Sequence, residues 1–306
     1  MPTDYSRRSF LQKSTGFLGL AFALSAFESG KKIPPLSFST LGCPDWTYPA
    51  ILDFAAKNGY SGIELRGIQR ELELPSCPEF SSAASIRQSL QAAKDRGLKF
   101  VDLGASAELH HADKVKRQKN LDEAKRFIDL AQQLECPYIR VFPNDLPKDR
   151  DRETTIELII SALQELGRYA SGSAVRVLME SHGKLVYVKD LERVMEAAAD
   201  PHVGMVWDIV NMWSVTREPP KHVYNRLKKY IYHTHIKDAN IVNGTDHYVL
   251  LGTGQTPIFE AIDLLYKNGY PGFYSFEWEK LWHPEIAASE IALADYPKAM
   301  AKHFNS

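Results

Sequence analysis

The stretch YIYHTHIKDAN, residues 230–240, changes character at its midpoint. Its first half is a short run of β-branched and aromatic residues, which predicts a buried strand. Because strand side chains alternate between two faces, His233, His235 and Lys237 are expected to share one face. Three nitrogen-bearing side chains make a poor apolar core, so this face is expected to form the wall of a polar pocket.

The composition limits the kinds of protein that this chain can be. Its 306 residues are 44% hydrophobic and carry a formal net charge of −1. This length suits one large α/β barrel or two modest domains. A near-zero charge offers no electrostatic attraction for nucleic acid, so no nucleic-acid partner is expected. Cys43, Cys77 and Cys136 have no paired spacing, which argues against a disulfide framework or a cysteine zinc site.

The N-terminal residues differ in kind from the rest of the chain. SRRSFLQK, residues 6–13, precedes an apolar run at residues 16–27. This pattern resembles the twin-arginine export signal, S-R-R-x-F-L-x-K, at every position. We therefore expect residues 1–30 to be a signal peptide, residues 31–306 to form the folded domain, and the protein to be exported to the periplasm. The apolar run is short for a membrane span, and no cysteine follows it, so no stable membrane anchor is expected.

Short apolar runs alternate with longer amphipathic ones from residue 36 onward. The predicted strands are residues 36–41, 62–65, 98–103, 138–142, 175–179, 203–207, 231–236 and 273–276. The predicted helices are residues 49–58, 82–96, a long helix ending near 134, 154–170, 188–199 with Asp190 as its cap, 258–268, and a flanking helix within 296–306. Eight strand–helix units predict an α/β protein with a single parallel (β/α)8 TIM barrel. A doubly wound sheet is the alternative, but no glycine-rich phosphate fingerprint follows the first strand.

Polar residues end four consecutive predicted strands. They are Glu180 and His182 after the fifth strand, Asp208 and Asn211 after the sixth, His235 in the seventh, and Glu277 after the eighth. In a closed barrel these strand ends meet at one mouth. Unpaired carboxylates there would repel one another, and a divalent cation removes that cost. Oxygen ligands with one imidazole suit Mn²⁺, Mg²⁺ or Co²⁺ ahead of Zn²⁺, so one divalent metal ion is expected. The alternative is a carboxylate cluster neutralised by Lys237 and Arg66.

Several motifs together resemble the xylose-isomerase-like TIM-barrel superfamily, also called the sugar phosphate isomerase/epimerase family. They are GYSGIELR (59–66), MESHG (179–183), WDIVN (207–211), HIKD (235–238), LGTGQTPI (251–258) and GYPGFYSFEWE (269–279). The resemblance covers residue 36 to about residue 302. It implies a metal held by Glu180, Asp208, His235 and Glu277, with Glu180 and Glu277 also acting as acid/base groups.

The chain departs from the ketose 3-epimerases of this superfamily at three positions. Asn211, Val186 and Ile241 stand where those enzymes carry a histidine, a second glutamate and an arginine. HIKD looks more like the inosose-dehydratase and hydroxypyruvate-isomerase side of the superfamily.

The expected chemistry begins with proton abstraction next to a carbonyl, through a metal-stabilised enediolate. We expect an isomerase or epimerase of a non-phosphorylated sugar or keto-sugar, because export and the lack of a phosphate-cradling loop argue against sugar phosphates. The alternative is a metal-dependent lyase or dehydratase, inosose-dehydratase-like or a keto-glycoside β-eliminase, that uses the same site. A nuclease resembling endonuclease IV would need more histidine ligands and a basic face. A sugar-binding protein without catalysis and a homo-oligomer both stay open.

Further residues are candidates for the site. Lys237 is expected to be a catalytic or substrate-binding ammonium, with an ion pair to Asp238 or to a neighbouring strand as the alternative. The candidates for contact with a carbohydrate substrate are His182, Trp46, Asn211 and Glu64. For Glu64 a structural ion pair with Arg66 is favoured over a direct catalytic role.

Overall fold

Short apolar segments that are buried on both faces form a closed parallel barrel. The structure is a computed structural model, and it describes residues 32–306. The strands of this region are β1 (Leu36–Ser39), β2 (Gly62–Leu65), β3 (Lys99–Glu108), β4 (Tyr138–Phe142), β5 (Arg176–Glu180), β6 (Val203–Asp208), β7 (Ile231–Ile236), β8 (Asp238–Val242), β9 (Thr245–Val249) and β10 (Tyr274–Phe276). Strands β1–β7 and β10 make the barrel, which closes where β1 pairs with β10. The predicted single α/β TIM barrel is therefore confirmed.

Amphipathic helices surround the barrel and bury their apolar sides against it. Within residues 32–306 they are α1 (Tyr48–Lys57), α2 (Ala83–Lys94), α3 (Lys114–Gln133), α4 (Arg152–Ala170), α5 (Val188–Ala197), α6 (Ile209–Thr216), α7 (Pro220–Leu227), α8 (Ile258–Lys267) and α9 (Ser289–Phe304). Side-chain caps fix several helix starts, as where Asp113 accepts from the Lys116 N–H and Asp151 from the Thr154 N–H. Two short 3₁₀ turns, Thr40–Gly42 and Leu74–Ser76, complete the pattern.

The structure departs from the predicted elements in four places. Strand β3 runs five residues further than predicted, to Glu108, and its register with β4 shifts between Gly104 and Glu108. Helices α6 and α7 and the antiparallel hairpin of β8 and β9 were not predicted, because their apolar periods are short. The last helix begins at residue 289 rather than 296. The prediction that Asp190 caps α5 is wrong, because the helix begins at Val188 and Asp190 pairs with Arg152 instead.

The barrel interior contains charged residues as well as apolar ones. Asp102 on β3 is completely buried, and neither of its carboxylate oxygens has a hydrogen-bond partner. Arg66 and Arg140 cross the same interior, and both approach Gly104 closely. A Cβ at residue 104 would lie 2.6 Å from Arg66 Cδ and 2.9 Å from Arg140 Nη2, so only glycine leaves room for both arginines. The apolar core proper lies between the barrel and its helices.

The predicted export signal and the boundary at residue 30 lie outside the described residues. Among residues 32–306, no helix combines the length and the apolar character that crossing a membrane requires.

Replacing Asp102 with Asn is expected to remove a pH dependence of stability. Burial, opposed by His233, raises the pKa of Asp102 to about 7 from its ordinary 3.8. The folded state therefore binds a proton that the unfolded chain releases, so this contribution is fully present below about pH 4 and is lost as the pH rises through about 7. D102N should exceed the wild type in unfolding free energy by a few kcal/mol near pH 8 and by little near pH 4.

Urea unfolding of both proteins at about pH 4, 6 and 8 measures this difference. The surface variant D149N is the matched control, since Asp149 is exposed. A D102N effect of equal size at all three pH values would contradict the expectation.

Candidate metal centre

Four side chains from neighbouring strands converge at the C-terminal mouth of the barrel. They are Glu180 at the end of β5, Asp208 at the end of β6, His235 in β7, and Glu277 directly after β10. One donor atom from each lies within 4.8 Å of the donor atoms of the other three. All four residues are buried, with at most 4% of their surface exposed. The structure thus brings together the ligand set that the sequence indicated.

The donor atoms fit a cation. His235 Nδ1 lies 3.3 Å from Glu277 Oε1, 3.6 Å from Glu180 Oε1 and 3.7 Å from Asp208 Oδ2. His235 Nδ1, Glu180 Oε2 and Asp208 Oδ2 are buried and have no hydrogen-bond partner. Glu180 Oε2 and Asp208 Oδ2 contact Arg140 and Lys237 without hydrogen-bond geometry, and His235 Nδ1 lies among carboxylate oxygens. Buried polar atoms are ordinarily hydrogen-bonded, and a cation between them would satisfy all three atoms. Three carboxylates and one imidazole suit a divalent ion such as Mn²⁺, Mg²⁺, Co²⁺ or Zn²⁺.

Local backbone structure aims the Asp208 carboxylate. Asp208 is the N-cap of α6, and its Oδ1 accepts a hydrogen bond of 2.9 Å from the Asn211 N–H. The other oxygen, Oδ2, is thereby left for the centre. The Asp208 N–H donates to Ser181 Oγ at 3.0 Å, which ties the ends of β5 and β6 together. The same side chain therefore caps a helix with one oxygen and offers the other as a candidate metal donor.

Glu64, which lies inside the barrel, orients the imidazole of His235. His235 Nε2 lies 3.2 Å from Glu64 Oε2, and His233 Nε2 and Ser275 Oγ lie 2.9 and 3.0 Å from the same oxygen. When Nε2–H donates to Glu64, the Nδ1 lone pair of His235 faces the centre. Glu64 is completely buried and makes no ion pair with Arg66, so the predicted Glu64–Arg66 pair is wrong. With no exposed surface and contacts to His233 and His235, Glu64 is suited to position the imidazole, and substrate contact by Glu64 stays a prediction.

Electrostatics favours charged donors at the centre. Burial disfavours the imidazolium of His235, but Glu277, Glu64 and Glu180 outweigh it and raise the pKa of His235 well above its ordinary value. Burial also opposes ionisation of Glu277, yet His235 and Lys237 hold the pKa of Glu277 well below its usual range. The pKa of Glu180 is lowered too, because His235 and Arg140 outweigh its burial. Within the protein itself, His235 and Lys237 therefore supply positive charge among these carboxylates.

Lys237 is a buried counter-ion of the centre. Its Nζ lies 2.8 Å from Asp208 Oδ2, in a contact too oblique for a hydrogen bond, and donates at 2.6 Å to Glu277 Oε2 and at 2.7 Å to Glu279 Oε1. The side chain has no exposed surface. These contacts favour the ion-pair alternative, while a catalytic Lys237 stays a prediction. Its partners lie on neighbouring strands and do not include Asp238.

Asp238 instead holds the loop that follows the hairpin. Its carboxylate accepts from the Gly252 and Gly254 N–H groups, both at 2.9 Å, and from the Thr256 hydroxyl. A Cβ at residue 254 would lie 2.2 Å from Asp238 Oδ1, so the loop needs glycine there. The Gly252 and Gly254 N–H groups are therefore already hydrogen-bonded to a side chain of the protein.

The remaining predicted site residues lie around the mouth without joining the four donors. Asn211 Nδ2 donates to Glu180 Oε1 at 3.2 Å, so it steadies a ligand. His182 Nδ1 lies 2.8 Å from Asn144 Oδ1, and its ring lies 4.5 Å from that of Phe142. Trp46 packs on Phe54 in the loop after β1, with ring centroids 4.8 Å apart. Substrate contact by these three stays a prediction.

Sequence reasoning missed three residues of the centre. Arg140 on β4 places Nε 3.1 Å from Glu180 Oε2 and is buried, and it could have been found as a charge inside the apolar run YIRVF. Glu279 follows Glu277 by two positions, so strand alternation predicts that it shares the same face. Burial raises the pKa of Glu279 to about 7 against the pull of Lys237. Tyr248, whose ring centroid lies 5.4 Å from Lys237 Nζ, comes from the unpredicted hairpin and had no sequence signal.

A large cavity of the described region lies at the opposite end of the barrel. It has a volume of about 590 Å³ and is lined by starts of strands, including Lys99, Tyr138 and Phe273. Barrel active sites are built at the C-terminal ends of strands, so volume alone does not locate the chemistry here.

Replacing Glu64 is expected to weaken metal binding without removing a ligand. In E64Q and E64A the carboxylate that orients His235 is lost, so affinity for Mn²⁺ or Zn²⁺ should fall about 10- to 100-fold. Isothermal titration calorimetry of the chelator-treated protein measures the change. S275A removes another hydrogen bond to the same Glu64 oxygen but keeps the carboxylate that orients His235, so it should have a smaller effect. Unchanged affinity in both Glu64 variants would refute the positioning role.

The chain is similar to known proteins in both its sequence family and its fold. The family model for the xylose isomerase-like TIM barrel matches residues 52–296. No curated protein matches the chain. Similar solved structures include a sugar epimerase, a dehydratase and a zinc-binding protein, all under 25% identical, so the likeness concerns the fold.

The three similar structures are covered almost completely. The probable 3-DHS dehydratase AsbF from Bacillus anthracis is 16% identical, with a TM-score of 0.70, over 87% of this chain and 98% of that one. The IOLI protein with a bound zinc atom is 17% identical, with a TM-score of 0.72, over 88% and 98%. The 3-keto-D-glucoside 4-epimerase YcjR from E. coli is 15% identical, with a TM-score of 0.69, over 88% and 98%. Because the family model matches most of the barrel, the chain belongs to the xylose isomerase-like TIM barrel family.

Proposed function

We propose that the protein is a divalent-metal-dependent isomerase or epimerase of a non-phosphorylated sugar or keto-sugar. The observation that supports this most directly is the convergence of Glu180, Asp208, His235 and Glu277, with orphaned donor atoms, at the mouth of the barrel. A divalent cation held there would polarise a substrate carbonyl as a Lewis acid.

Two carboxylates are the candidates for moving the proton. Glu180 and Glu277 stand on β5 and beside β10, which β6 and β7 separate around the barrel. They therefore border the centre from two sides. The pKa of each is lowered, since nearby cations outweigh burial, so each is ionised and able to accept a proton near neutral pH. One group on each side suits removal of a proton from a sugar carbon and its return to the other face or to the neighbouring carbon.

The substrate class follows from what the mouth offers. The Gly252 and Gly254 N–H groups already donate to Asp238 and are not free to bind a phosphate. This supports a sugar without phosphate. The name of the similar YcjR structure is 3-keto-D-glucoside 4-epimerase, which makes keto-sugars a reasonable class to test first.

A lyase or dehydratase that uses the same site is the second candidate. The AsbF structure, named as a probable dehydratase, has the same fold, and HIKD resembles the inosose-dehydratase side of the superfamily. Elimination would begin with the same proton abstraction and then expel a β-hydroxyl or β-alkoxyl group. The appearance of an ultraviolet-absorbing enone distinguishes this outcome from isomerisation.

Substitution of the two proton-transfer candidates tests the proposal. E180Q and E277Q keep side-chain size but remove the base and a metal charge, so deuterium uptake from D₂O should fall by at least about 10²-fold. Proton NMR follows exchange across free sugars, 3-keto-sugars and sugar phosphates, with the metal-loaded wild type as reference. E260Q, an exposed glutamate on α8, is the matched control and should exchange normally. Full exchange in E180Q and E277Q, or exchange with sugar phosphates alone, would defeat the proposal.

We also propose export by the twin-arginine route, with residues 1–30 as the signal and residues 31–306 as the mature domain. The support is the SRRSFLQK motif followed by the apolar run. Replacing Arg7 and Arg8 by Lys should retain the precursor in the cytoplasm, because this route reads the arginine pair. Cell fractionation with immunoblotting measures the distribution. Equal periplasmic amounts for the variant and the wild type would count against this route.

A further inference from the structure

A second group of metal-type donors lies at the same mouth, outside the four-donor centre. Glu108 ends β3, and His110 and His111 follow it directly. One donor atom from each lies within 4.8 Å of the other two. None of these residues belongs to the proposed reaction, so the group needs its own explanation.

The contacts within the group leave one ring nitrogen, His110 Nδ1, without a hydrogen-bond partner. His111 Nε2 lies 3.0 Å from Glu108 Oε2, and the rings of His110 and His111 lie 4.1 Å apart. His110 is only 9% exposed, and its Nδ1 is buried without a hydrogen-bond partner. Such an orphaned ring nitrogen is unusual in a folded protein, and a bound cation would satisfy it.

The backbone that presents the group is held from several sides. The Glu108 N–H donates to Asn120 Oδ1 of α3 at 2.7 Å, and the Leu109 N–H donates to the Phe142 carbonyl at 2.9 Å. The carboxylate itself is oriented by Asn144, whose Nδ2 donates to Glu108 Oε1. The donors are therefore preorganised, which lowers the entropy cost of binding an ion.

An ion can reach this group from solvent. The side chains of Glu108 and His111 are 36% and 21% exposed. A set of two imidazoles and one carboxylate leaves coordination positions open for water or a substrate oxygen. The group also adjoins the first centre, because Asn144 contacts both Glu108 and His182, and His182 lies two residues after Glu180.

We propose that Glu108, His110 and His111 bind a second divalent transition-metal ion of the Zn²⁺ type, with open positions toward the mouth of the barrel. Nitrogen-rich donors favour Zn²⁺ or Co²⁺ over Mg²⁺, whereas the oxygen-rich first centre accepts harder ions. The inference is independent of the proposed function, since it rests on different residues.

Metal counting separates the two centres. The full chain is stripped with a chelator, dialysed against Zn²⁺ and analysed by elemental mass spectrometry. We expect about two zinc equivalents for the wild type, about one for H111A, E108Q and D208N, and none for the double variant D208N/H111A. The visible spectrum of the Co²⁺-loaded protein should lose different bands in H111A and D208N.

The controls make each outcome decisive. H222A replaces an exposed histidine on α7 and should keep both equivalents, and circular dichroism checks that every variant is folded. A single wild-type equivalent that D208N removes overturns the second site, as do two equivalents that survive in H111A and E108Q. A single equivalent that H111A removes and D208N retains supports the second site and instead overturns the four-donor centre.

Discussion

Repulsion among three carboxylates that the barrel brings to one buried place is the constraint on which the rest of the centre depends. Glu180, Asp208 and Glu277 lie in an interior where water cannot screen them. An uncompensated buried charge costs several kcal/mol in a protein interior. The fold answers with Lys237 and Arg140, whose nitrogen atoms lie within 3.1 Å of these carboxylates. His235 Nδ1 still lies among three carboxylates without a hydrogen bond, and a divalent cation there would satisfy it together with the carboxylate oxygens.

The polar character of the centre continues down into the barrel. Further inside the barrel lies Glu64, whose Oε2 contacts both His233 and His235, and Asp102 lies in the same interior. These residues replace part of the layered apolar filling that barrels of this type ordinarily have. The gain is a rigid support that sets which nitrogen of His235 faces the mouth. The loss of apolar contacts inside is offset by the continuous core between barrel and helices.

Much of the fold and of the centre could be predicted because both follow local rules. Strands β2, β4 and β7 were predicted with the same bounds that the structure has, since each is a short apolar run. The four donors could be named because each ends or follows such a run on consecutive strands. The β8–β9 hairpin could not be predicted, because its residues mix buried, half-buried and exposed positions and show no regular alternation.

The sequence by itself determined the order of the eight barrel strands, the class of the fold and the identity of the four donors, because alternation and apolar periodicity are properties of neighbouring residues. Only the tertiary structure decided which charges pair. Glu64 meets His233 and His235 across 169 and 171 residues of sequence rather than Arg66, and Lys237 meets Glu277 rather than its neighbour Asp238. Such pairings depend on how the closed barrel staggers its strands, and that stagger is set by contacts between residues far apart in the chain.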